Sequence, residues 1–199
     1  FIADGGSGLQ IIDVSNPASP TLTATYDDTT GNAGAVTLSA DGNTAFVADV
    51  DSGLQIINVS NPASPTLTAT FNTTGRAFGV TLSADGNTAF VADVEGGLQI
   101  INVSNPASPT LKATYNTTGY TSAVTLSADG NTAFVADYIN GLQIINVSNP
   151  ASPTLKATYN TTGNAYGVTL SADGNTAFVA DFESGLQIID VSNPASPTL

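Results

Sequence analysis

The sequence contains no cysteine, histidine, methionine or tryptophan among its 199 residues. Without cysteine there can be no disulfide framework, and without cysteine and histidine the familiar zinc sites and catalytic triads cannot be built. A carboxylate pair that acts on a glycoside is the enzymatic alternative that this composition leaves open. From these absences we predict that the chain is not an enzyme.

Basic residues are also scarce in this chain. Lys and Arg number 3 against 16 Asp and Glu, which gives a formal net charge of -13. Such a charge repels phosphate backbones and anionic membranes, so we expect no nucleic-acid partner. No apolar run reaches the roughly 18 residues that a membrane-spanning helix needs, so we expect no membrane insertion. With 41% hydrophobic residues, however, the chain has enough apolar surface to fold.

The dominant positive feature of the sequence is a repeat. The phrase "FVAD", or a close variant, recurs with successive starts 45, 44, 44 and 44 residues apart. A period of this length is typical of architectures in which each unit is one supersecondary element. The chain therefore holds four periods plus a half unit. The repeats start at Phe1, Phe46, Phe90, Phe134 and Phe178.

Each unit reads as four short strands. Strands are predicted over Gly79–Ser83 and Thr88–Asp93, joined by the turn "ADGN", in which glycine accepts positive φ. Two more are predicted over Leu98–Val103 and Thr110–Tyr115, separated by "SNPASP", whose prolines cannot donate to a sheet ladder. The middle two strands carry apolar residues on both faces, which is typical of strands that are covered on both sides.

The last strand of each unit has a different pattern. In the copy "TLTATF", Leu67, Ala69 and Phe71 alternate with three threonines. Strict alternation indicates a strand with one apolar and one solvated face. We therefore expect a half-exposed edge strand.

Together these patterns predict an all-β fold, a β-propeller of four-stranded antiparallel blades with about 44 residues per repeat. A β-solenoid is the main alternative, but its coils are usually shorter and lack a regular series of hairpins. Residues 1–199 are expected to form a single propeller domain or a segment of a larger propeller array.

The two ends of the chain leave open how many blades the propeller has and how it closes. The second and third strands occur five times, whereas the first strand occurs four times, so neither end completes a blade. The chain could be an arc of a larger ring, a five-bladed ring with one incomplete blade, or an open blade that accepts a strand from another copy. We favour the arc, and expect a processed product or a segment of something longer.

Two phrases carry a family resemblance. "FVADVDSGLQIINVSNPASPTL" resembles the LVIVD repeat, a propeller motif of bacterial surface and secreted proteins, and "LQIINVSNP" occupies the place of the strand that names the motif. "LSADGNTAFVAD" is similar to the first hairpin of YVTN-type propellers. The resemblance covers the whole chain. It implies a propeller fold and an extracellular or cell-surface location, and says little about function.

Differences between the copies gather at two connections, one before the first strand and one between the second and third strands. In an antiparallel four-stranded blade these connections lie on the same face, opposite the identical turns. Binding surfaces in repeat proteins form where the units differ, although loops also tolerate neutral change. The predicted recognition face comprises residues 76–78, 120–122, 138–140 and 164–166 with the acidic loops 49–51, 93–95 and 181–183. Its candidate binding residues are Arg76, Phe78, Tyr120, Tyr138, Asn140, Tyr166 and Phe182.

Three of the acidic loops contain paired carboxylates followed by glycine. Oxygen-rich turns of this kind can hold Ca²⁺, whereas the alternative is that the first acid accepts backbone donors at a strand end. Calcium is the one cofactor that we consider, because nothing else in the sequence implies one. The candidate metal ligands are Asp49, Asp51, Asp93, Glu95, Asp181 and Glu183.

Two further motifs are weak. The sequon "NTT" begins at Asn72, Asn116 and Asn160, each directly after a predicted strand, and makes these residues candidate N-glycosylation sites. "DTTG" at Asp28 resembles an aspartic-protease triplet, but its copies read "NTTG", which removes the acid.

The leading hypothesis is a non-enzymatic binding or adhesion module of a secreted or cell-surface bacterial protein, with a protein or a glycan as its ligand. The alternative is a structural subunit whose incomplete blades pair with copies of itself to make a fibre or surface layer. A glycan-active enzyme is the third alternative. Fold alone does not decide between these classes.

Overall fold

The computed structural model describes residues 1–27 and 31–199, and every regular element in them is a β-strand. None of these residues forms a helix long and apolar enough to cross a membrane. The "DTTG" motif at Asp28 begins outside the described residues. The strands of the described residues are β1 (Ile2–Ala3), β2 (Leu9–Asp13), β3 (Thr21–Tyr26), β4 (Ala33–Leu38), β5 (Thr44–Asp49), β6 (Gly53–Asn58), β7 (Thr66–Phe71), β8 (Ala77–Leu82), β9 (Thr88–Asp93), β10 (Gly97–Asn102), β11 (Thr110–Tyr115), β12 (Ala123–Leu126), β13 (Thr132–Ala136), β14 (Leu142–Asn146), β15 (Thr154–Tyr159), β16 (Ala165–Leu170), β17 (Thr176–Asp181) and β18 (Gly185–Asp190).

The strands form five antiparallel sheets in chain order, which we number as blades. Blade 1 is β1–β3, blade 2 is β4–β7, blade 3 is β8–β11, blade 4 is β12–β15 and blade 5 is β16–β18. The first strands β4, β8, β12 and β16 contact one another in sequence, so they lie innermost. The predicted all-β propeller is confirmed. Among the described residues, blade 1 lacks the innermost strand and blade 5 lacks the outermost strand. That residues 1–199 form one domain or part of an array stays a prediction.

The turn that closes the first hairpin is built the same way in each copy. In blade 3 the Ser83 hydroxyl and the Asn87 N–H both donate to the Asp85 carboxylate, and the Thr88 N–H donates to the Ser83 hydroxyl at 3.0 Å. Gly86 has φ of 70°, a conformation that glycine adopts without a steric penalty. These hydrogen bonds explain why "SADGN" is invariant among the copies.

Neighbouring blades pack face to face through their middle strands. Phe46, Leu54 and Ile56 of blade 2 pack against Ile101 and Val103 of blade 3, and all five side chains are buried. We call the side with Leu54 and Ile56 the forward face of a blade, and the receiving side with Ile101 and Val103 the backward face. Burial of one such aliphatic side chain contributes about 1.5–3 kcal/mol, so each junction is a principal source of stability.

The predicted alternation of the outermost strand is wrong at Leu67. Leu67 pairs with Ile57 and Ala69 pairs with Ile56, so Thr68 is an extra residue in a β-bulge. The bulge interrupts the period of two, and Leu67 is 46% exposed instead of packing with Ala69. The same bulge falls at Lys112 in blade 3, where it aims the Nζ atom at the Thr88 hydroxyl, 2.6 Å away.

A buried carboxylate anchors the loop that enters blades 3 and 5. The Gly75 N–H donates to Asp93 Oδ2 at 2.9 Å, and the Gly163 N–H donates to Asp181 Oδ2 at 3.0 Å. A Cβ atom at position 75 would lie 2.3 Å from Asp93 Oδ1, so the close approach requires glycine. In blade 4 the equivalent Asp137 is fully buried, and burial raises its pKa.

Substitutions at matched positions of blades 4 and 5 should test the junctions. Leu142 is fully buried on the forward face of blade 4, whereas Leu186 on the forward face of blade 5 is 61% exposed. We expect Leu142→Ala to lower the free energy of unfolding by about 2–5 kcal/mol because it leaves a cavity. Leu186→Ala should cost less than about 1 kcal/mol. Urea unfolding in dilute solution measures both, and equal losses would show that blade 5 is packed as blade 4 is.

The buried Asp137 carboxylate should destabilise the chain at neutral pH. Its pKa is raised above 3.8, so the folded state favours the neutral carboxyl, and the destabilisation disappears as the pH falls through the raised pKa. Asp137→Asn should therefore raise the urea midpoint at pH 7 and lose this advantage near pH 4.

Asp129 in the same blade provides a control, because its pKa is shifted in the opposite direction. Hydrogen bonds from Ser127 and Asn131 lower the pKa of Asp129 to about 2, so its stabilisation is present above pH 3.8 and lost as the pH falls through 2. Asp129→Asn should therefore lower the midpoint at pH 7. If both variants changed the midpoint in the same direction, burial would not be the cause at Asp137.

Candidate functional site

The two variable connections of a blade lie side by side on one surface of the propeller. In blade 3 the Val94 N–H donates to the Arg76 carbonyl at 2.8 Å, and in blade 5 the Phe182 N–H donates to the Asn164 carbonyl at 2.9 Å. These bonds extend the pairing of the first two strands beyond the sheet. Residues 76–78 and 93–95 consequently share one surface.

A β-bulge in the innermost strand displays the variable side chain. Ala77 pairs with Asp93 and Gly79 pairs with Ala92, which leaves Phe78 as the extra residue. Tyr166 has the same position in blade 5. Bulges re-aim side chains, and here Phe78 and Tyr166 are 38% and 50% exposed while the preceding alanines are buried.

Four aromatic side chains from blades 4 and 5 form a continuous row. Ring centroids are 5.9 Å apart for Tyr120 and Tyr138, 5.5 Å for Tyr138 and Tyr166, and 5.9 Å for Tyr166 and Phe182. The middle pair is edge-to-face, and the other two pairs are tilted. Both geometries are favoured for aromatic pairs. We call Tyr120, Tyr138, Tyr166 and Phe182 the aromatic row.

A cavity of about 220 Å³ lies against this row. It reaches from blade 3 to blade 5, and it therefore brings together five of the seven predicted binding residues. Val94 and Ser122 complete its wall. Its lining residues are Arg76, Phe78, Val94, Tyr120, Ser122, Tyr138 and Tyr166.

Tyr138 has an uncommon backbone conformation. Its φ is 47°, and it is the one non-glycine residue with positive φ in the described part of the chain. The conformation is held by a bridge to the next blade, in which Tyr138 and Ala165 exchange hydrogen bonds of 3.1 and 3.0 Å. In blade 1 the equivalent residue is Gly5, with φ of 51°. Strain of this kind persists where surrounding structure enforces it, and it often marks a functional position.

The second acid of each predicted metal pair is bonded within its own blade. Glu95 accepts from Arg76 Nε at 3.0 Å and Nη2 at 2.8 Å, and this contact lowers the pKa of Glu95. Glu183 accepts from the Asn164 side chain at 2.8 Å, and Asp51 accepts from the Asn32 side chain at 3.1 Å. These carboxylates fix the loop that precedes the innermost strand.

The first acids of the three pairs, Asp49, Asp93 and Asp181, differ in their hydrogen-bond partners. Asp49 Oδ1 accepts hydrogen bonds from the Asp51 and Ser52 N–H groups at 3.1 and 2.9 Å. This is the backbone-accepting role that the sequence analysis gave as the alternative to metal binding. Asp93 Oδ1 and Asp181 Oδ1 are buried without a hydrogen-bond partner. Within residues 1–27 and 31–199, no three acidic side chains are close enough together to share a metal ion. Calcium binding stays a prediction.

Asn140 does not join the aromatic row. Its side-chain amide donates to Asp137 Oδ2 at 3.0 Å and to the Thr118 hydroxyl at 3.1 Å. Asn140 therefore joins its own loop to the loop that precedes the innermost strand of blade 4. The sequon residues are exposed and directly follow the outermost strands, and their glycosylation stays a prediction. These residues are Asn72, Asn116 and Asn160.

The predicted recognition face includes Thr121 and Ser122, but sequence reasoning missed that their hydroxyl groups connect one blade to the next. The Ser122 hydroxyl donates to the Tyr166 carbonyl at 2.9 Å, which ties blade 4 to the bulge of blade 5. The Thr121 hydroxyl is buried and donates to the Asp93 carbonyl at 2.6 Å. The available signal was that Thr121 replaces an alanine found at this position in the other blades.

Solved structures show the same fold. The periplasmic gluconolactonase PpgL of Pseudomonas aeruginosa matches 100% of this chain with a TM-score of 0.84 and 16% identity. A putative 6-phosphogluconolactonase of Bacteroides fragilis matches 91% with a TM-score of 0.78 and 13% identity. The Cps50 (Swd1) β-propeller domain of Myceliophteria thermophila matches 90% with a TM-score of 0.72 and 14% identity. The chain spans 65%, 60% and 63% of their respective lengths.

The prediction that the chain is not an enzyme is wrong as an inference from composition. Two of these similar propellers are lactonases by name, so enzymes occur among the structures with this architecture. The lack of histidine and cysteine excludes particular triads and zinc sites, and it does not exclude catalysis by other groups. At 13–16% identity the likeness itself shows the fold alone.

The repeat also matches a family model. No curated protein is detectably similar to the chain in sequence. The LVIVD repeat model matches five times, over residues 1–28, 30–73, 75–117, 118–161 and 162–199. Because these matches cover nearly every residue, the resemblance noted in the sequence is confirmed, and the chain belongs to the LVIVD-repeat family.

Proposed function

We propose that the chain is a carbohydrate-binding module, and that the aromatic row with its adjoining cavity is the binding site. The observation that carries this proposal is the row itself. Tyr120, Tyr166 and Phe182 are 54%, 50% and 77% exposed, although large aromatic side chains are usually buried. An exposed aromatic cluster on a variable surface is a typical interaction site.

The chemistry of the site suits a sugar. Aromatic rings offer flat apolar faces on which the C–H face of a sugar ring can pack, and the tyrosine hydroxyls add polar partners. The neighbouring Tyr166 raises the pKa of Tyr138, so this phenol keeps its proton and can donate to a sugar oxygen. Arg76 and Glu95 border the site with side chains that are 51% and 47% exposed. Their free donor and acceptor positions can bind hydroxyl groups.

The size and charge of the site favour a small neutral ligand. A cavity of about 220 Å³ suits a single sugar ring, whereas a stable protein interface needs about 800 Å² from each partner. The net charge of -13 disfavours acidic sugars. The names of the lactonase structures, which refer to sugar derivatives, support the same ligand class.

A secreted or cell-surface location fits this role. The LVIVD-repeat family and the periplasmic origin of one similar structure support it. Adhesion through surface glycans is the corresponding biological function that we propose.

A second candidate is hydrolysis of a sugar lactone at the same site, and the names of the lactonase structures favour it. The Arg76 guanidinium could stabilise the oxyanion that forms when water attacks the lactone carbonyl. Incubation with gluconolactone, followed by pH-stat titration of the released acid, distinguishes turnover from binding alone.

Tyr166 is the residue whose loss should weaken binding most, because it contacts two other rings of the row and is also 50% exposed, whereas Tyr138, which contacts two rings as well, is less exposed. We expect the wild-type chain to bind neutral glycans on an array, and Tyr166→Ala to weaken calorimetric binding of the best glycan at least tenfold. Leu155→Ala is the control, since Leu155 is 49% exposed on an outermost strand and does not line the cavity. Absence of glycan binding, or equal binding by both variants, would contradict the proposal.

Two substitutions of Tyr138 should separate its ring from its strained backbone. Tyr138→Ala and Tyr138→Gly both remove the ring, so both should weaken glycan binding equally. An alanine with positive φ is strained and a glycine is not, so the glycine variant should be about 1 kcal/mol more stable to urea. Equal stability of the two variants would mean that the backbone leaves this conformation in solution.

A further inference from the structure

A second cavity, of about 230 Å³, lies beside the outermost strand of blade 4. We call it the outer cavity. Its wall is formed by residues 115–118, by Asn140 and by side chains of β14 and the segment 155–160. Leu155 is its one aliphatic lining residue, and every other lining side chain carries a hydroxyl or an amide group. The outer cavity shares no residue with the cavity against the aromatic row.

Gln143 brings a hydrogen-bond donor without a partner to the outer cavity. Its side chain is only 7% exposed, and its Oε1 accepts a hydrogen bond from the Thr158 hydroxyl at 2.9 Å. Its Nε2 makes no hydrogen bond to any residue that the structure describes. Because buried polar side chains in folded proteins are nearly always hydrogen-bonded, this free donor indicates a missing partner.

Other blades show how the same donor is satisfied within the chain. Nε2 of Gln10, Gln99 and Gln187 donates to the carbonyl three residues earlier, at 3.1, 2.8 and 3.0 Å. The residue with that carbonyl is a serine or a glycine in these three blades, whereas blade 4 has Asn140 at this position. The free donor thus coincides with a change of sequence in blade 4.

Asn140 brings a matching acceptor to the outer cavity. Its amide nitrogen donates to Asp137 Oδ2 and to the Thr118 hydroxyl, so both of its N–H bonds are used. Its Oδ1 accepts no hydrogen bond from the described residues and keeps its acceptor positions for a ligand. The amides of Gln143 and Asn140 are each held by other hydrogen bonds, and groups that are fixed in advance lose little entropy on binding.

The electrostatics of the outer cavity favour a neutral ligand. None of its lining residues is charged, and a cation would meet the N–H groups of Gln143. An anion would be repelled by the chain's net charge of -13. A hydroxyl group both donates and accepts, so two neighbouring hydroxyls can satisfy Gln143 and Asn140 together. A volume of about 230 Å³ limits the ligand to about the size of one sugar ring.

We infer that the outer cavity is a second binding site, and that its ligand is a neutral polyol held through two neighbouring hydroxyl groups. Gln143 Nε2 donates to one hydroxyl oxygen, and Asn140 Oδ1 accepts the hydrogen of the other. A sugar ring and an open-chain sugar alcohol share this chemistry. The inference does not depend on the aromatic row, because the two sites have no residue in common.

NMR of the side-chain amides of the isotope-labelled 199-residue chain tests this inference. The Gln143 amide signal is assigned by its loss in Gln143→Leu. The probes are myo-inositol, which is a ring, and sorbitol, which is an open chain. We expect the Gln143 signal to shift to saturation with at least one of them, and the tighter probe identifies the source of the hydroxyl groups. Cyclohexanol, a ring with a single hydroxyl, should not shift it.

Matched variants separate the free donor from a general change of the fold. Gln143→Leu, followed on the Asn140 amide signal, should weaken polyol binding at least about tenfold, since a hydrogen bond is lost. Gln99→Leu is the control, because it removes the equivalent side chain of blade 3, whose Nε2 already donates to the Gly96 carbonyl. It should leave polyol binding unchanged.

Asn140→Ser provides a second variant that the fold should accept, because blades 1, 2 and 5 have serine at this position. It removes the acceptor and should also weaken polyol binding at least about tenfold, measured on the Gln143 signal. Tyr166→Ala should leave this binding unchanged, because Tyr166 belongs to the other cavity. Leu155→Ala should leave it nearly unchanged, because Leu155 has no hydrogen-bonding side chain.

Three outcomes would overturn the inference. A Gln143 signal that shifts with neither inositol nor sorbitol would show that the outer cavity does not bind polyols. An equal shift with cyclohexanol would show apolar contact without recognition of paired hydroxyls. Equal weakening by Gln99→Leu and Gln143→Leu would show that the free donor is not the binding group.

Discussion

The packing of one blade on the next is the interaction on which the rest of this structure depends. A four-stranded sheet of this length has two apolar faces and cannot bury them alone. Leu54 and Ile56 are fully buried because blade 3 covers them, and Ile101 and Val103 are buried by the same contact. The middle strands therefore keep their apolar residues from copy to copy, and stability accumulates junction by junction, as in other repeat proteins.

This constraint separates the residues that hold the fold from those that are free to differ. The turns on one face are fixed by their own hydrogen bonds, as in the Ser83–Asp85 turn. The opposite face carries the bulges, the strained Tyr138 and the variable loops. The apolar junctions between the middle strands do not involve these loops. The loops of blades 4 and 5 can therefore carry an aromatic row, while blades 1 and 2 have Gly5, Asn32, Gly34 and Val50 at the equivalent positions.

Most of the fold could be predicted from the sequence because its signals are local and repeated. The strands over Thr88–Asp93 and Thr110–Tyr115 have the predicted bounds, and Gly97–Asn102 begins and ends one residue earlier than predicted. The exposure of Leu67 could not be predicted, because a bulge shifts the register without leaving a signal in one strand's alternation. At the candidate site, the pattern of variation predicted that Phe78, Tyr120 and Tyr166 lie on one surface, and they line one cavity, but the amide of Asn140 bonds inside its own loop. Contacts between blades, such as Ser122 to Tyr166, depend on the angle between sheets, which periodicity does not encode.

The equivalence of the junctions has a consequence for the history of the chain. The forward faces of the blades have nearly the same side chains, and so do the backward faces. The packing therefore does not depend on which blade follows which. A duplication or deletion of one whole 44-residue unit would leave every remaining junction intact. Blade number is therefore open to change by recombination within the gene, and the loops of a newly copied blade can diverge from the start without a cost in packing.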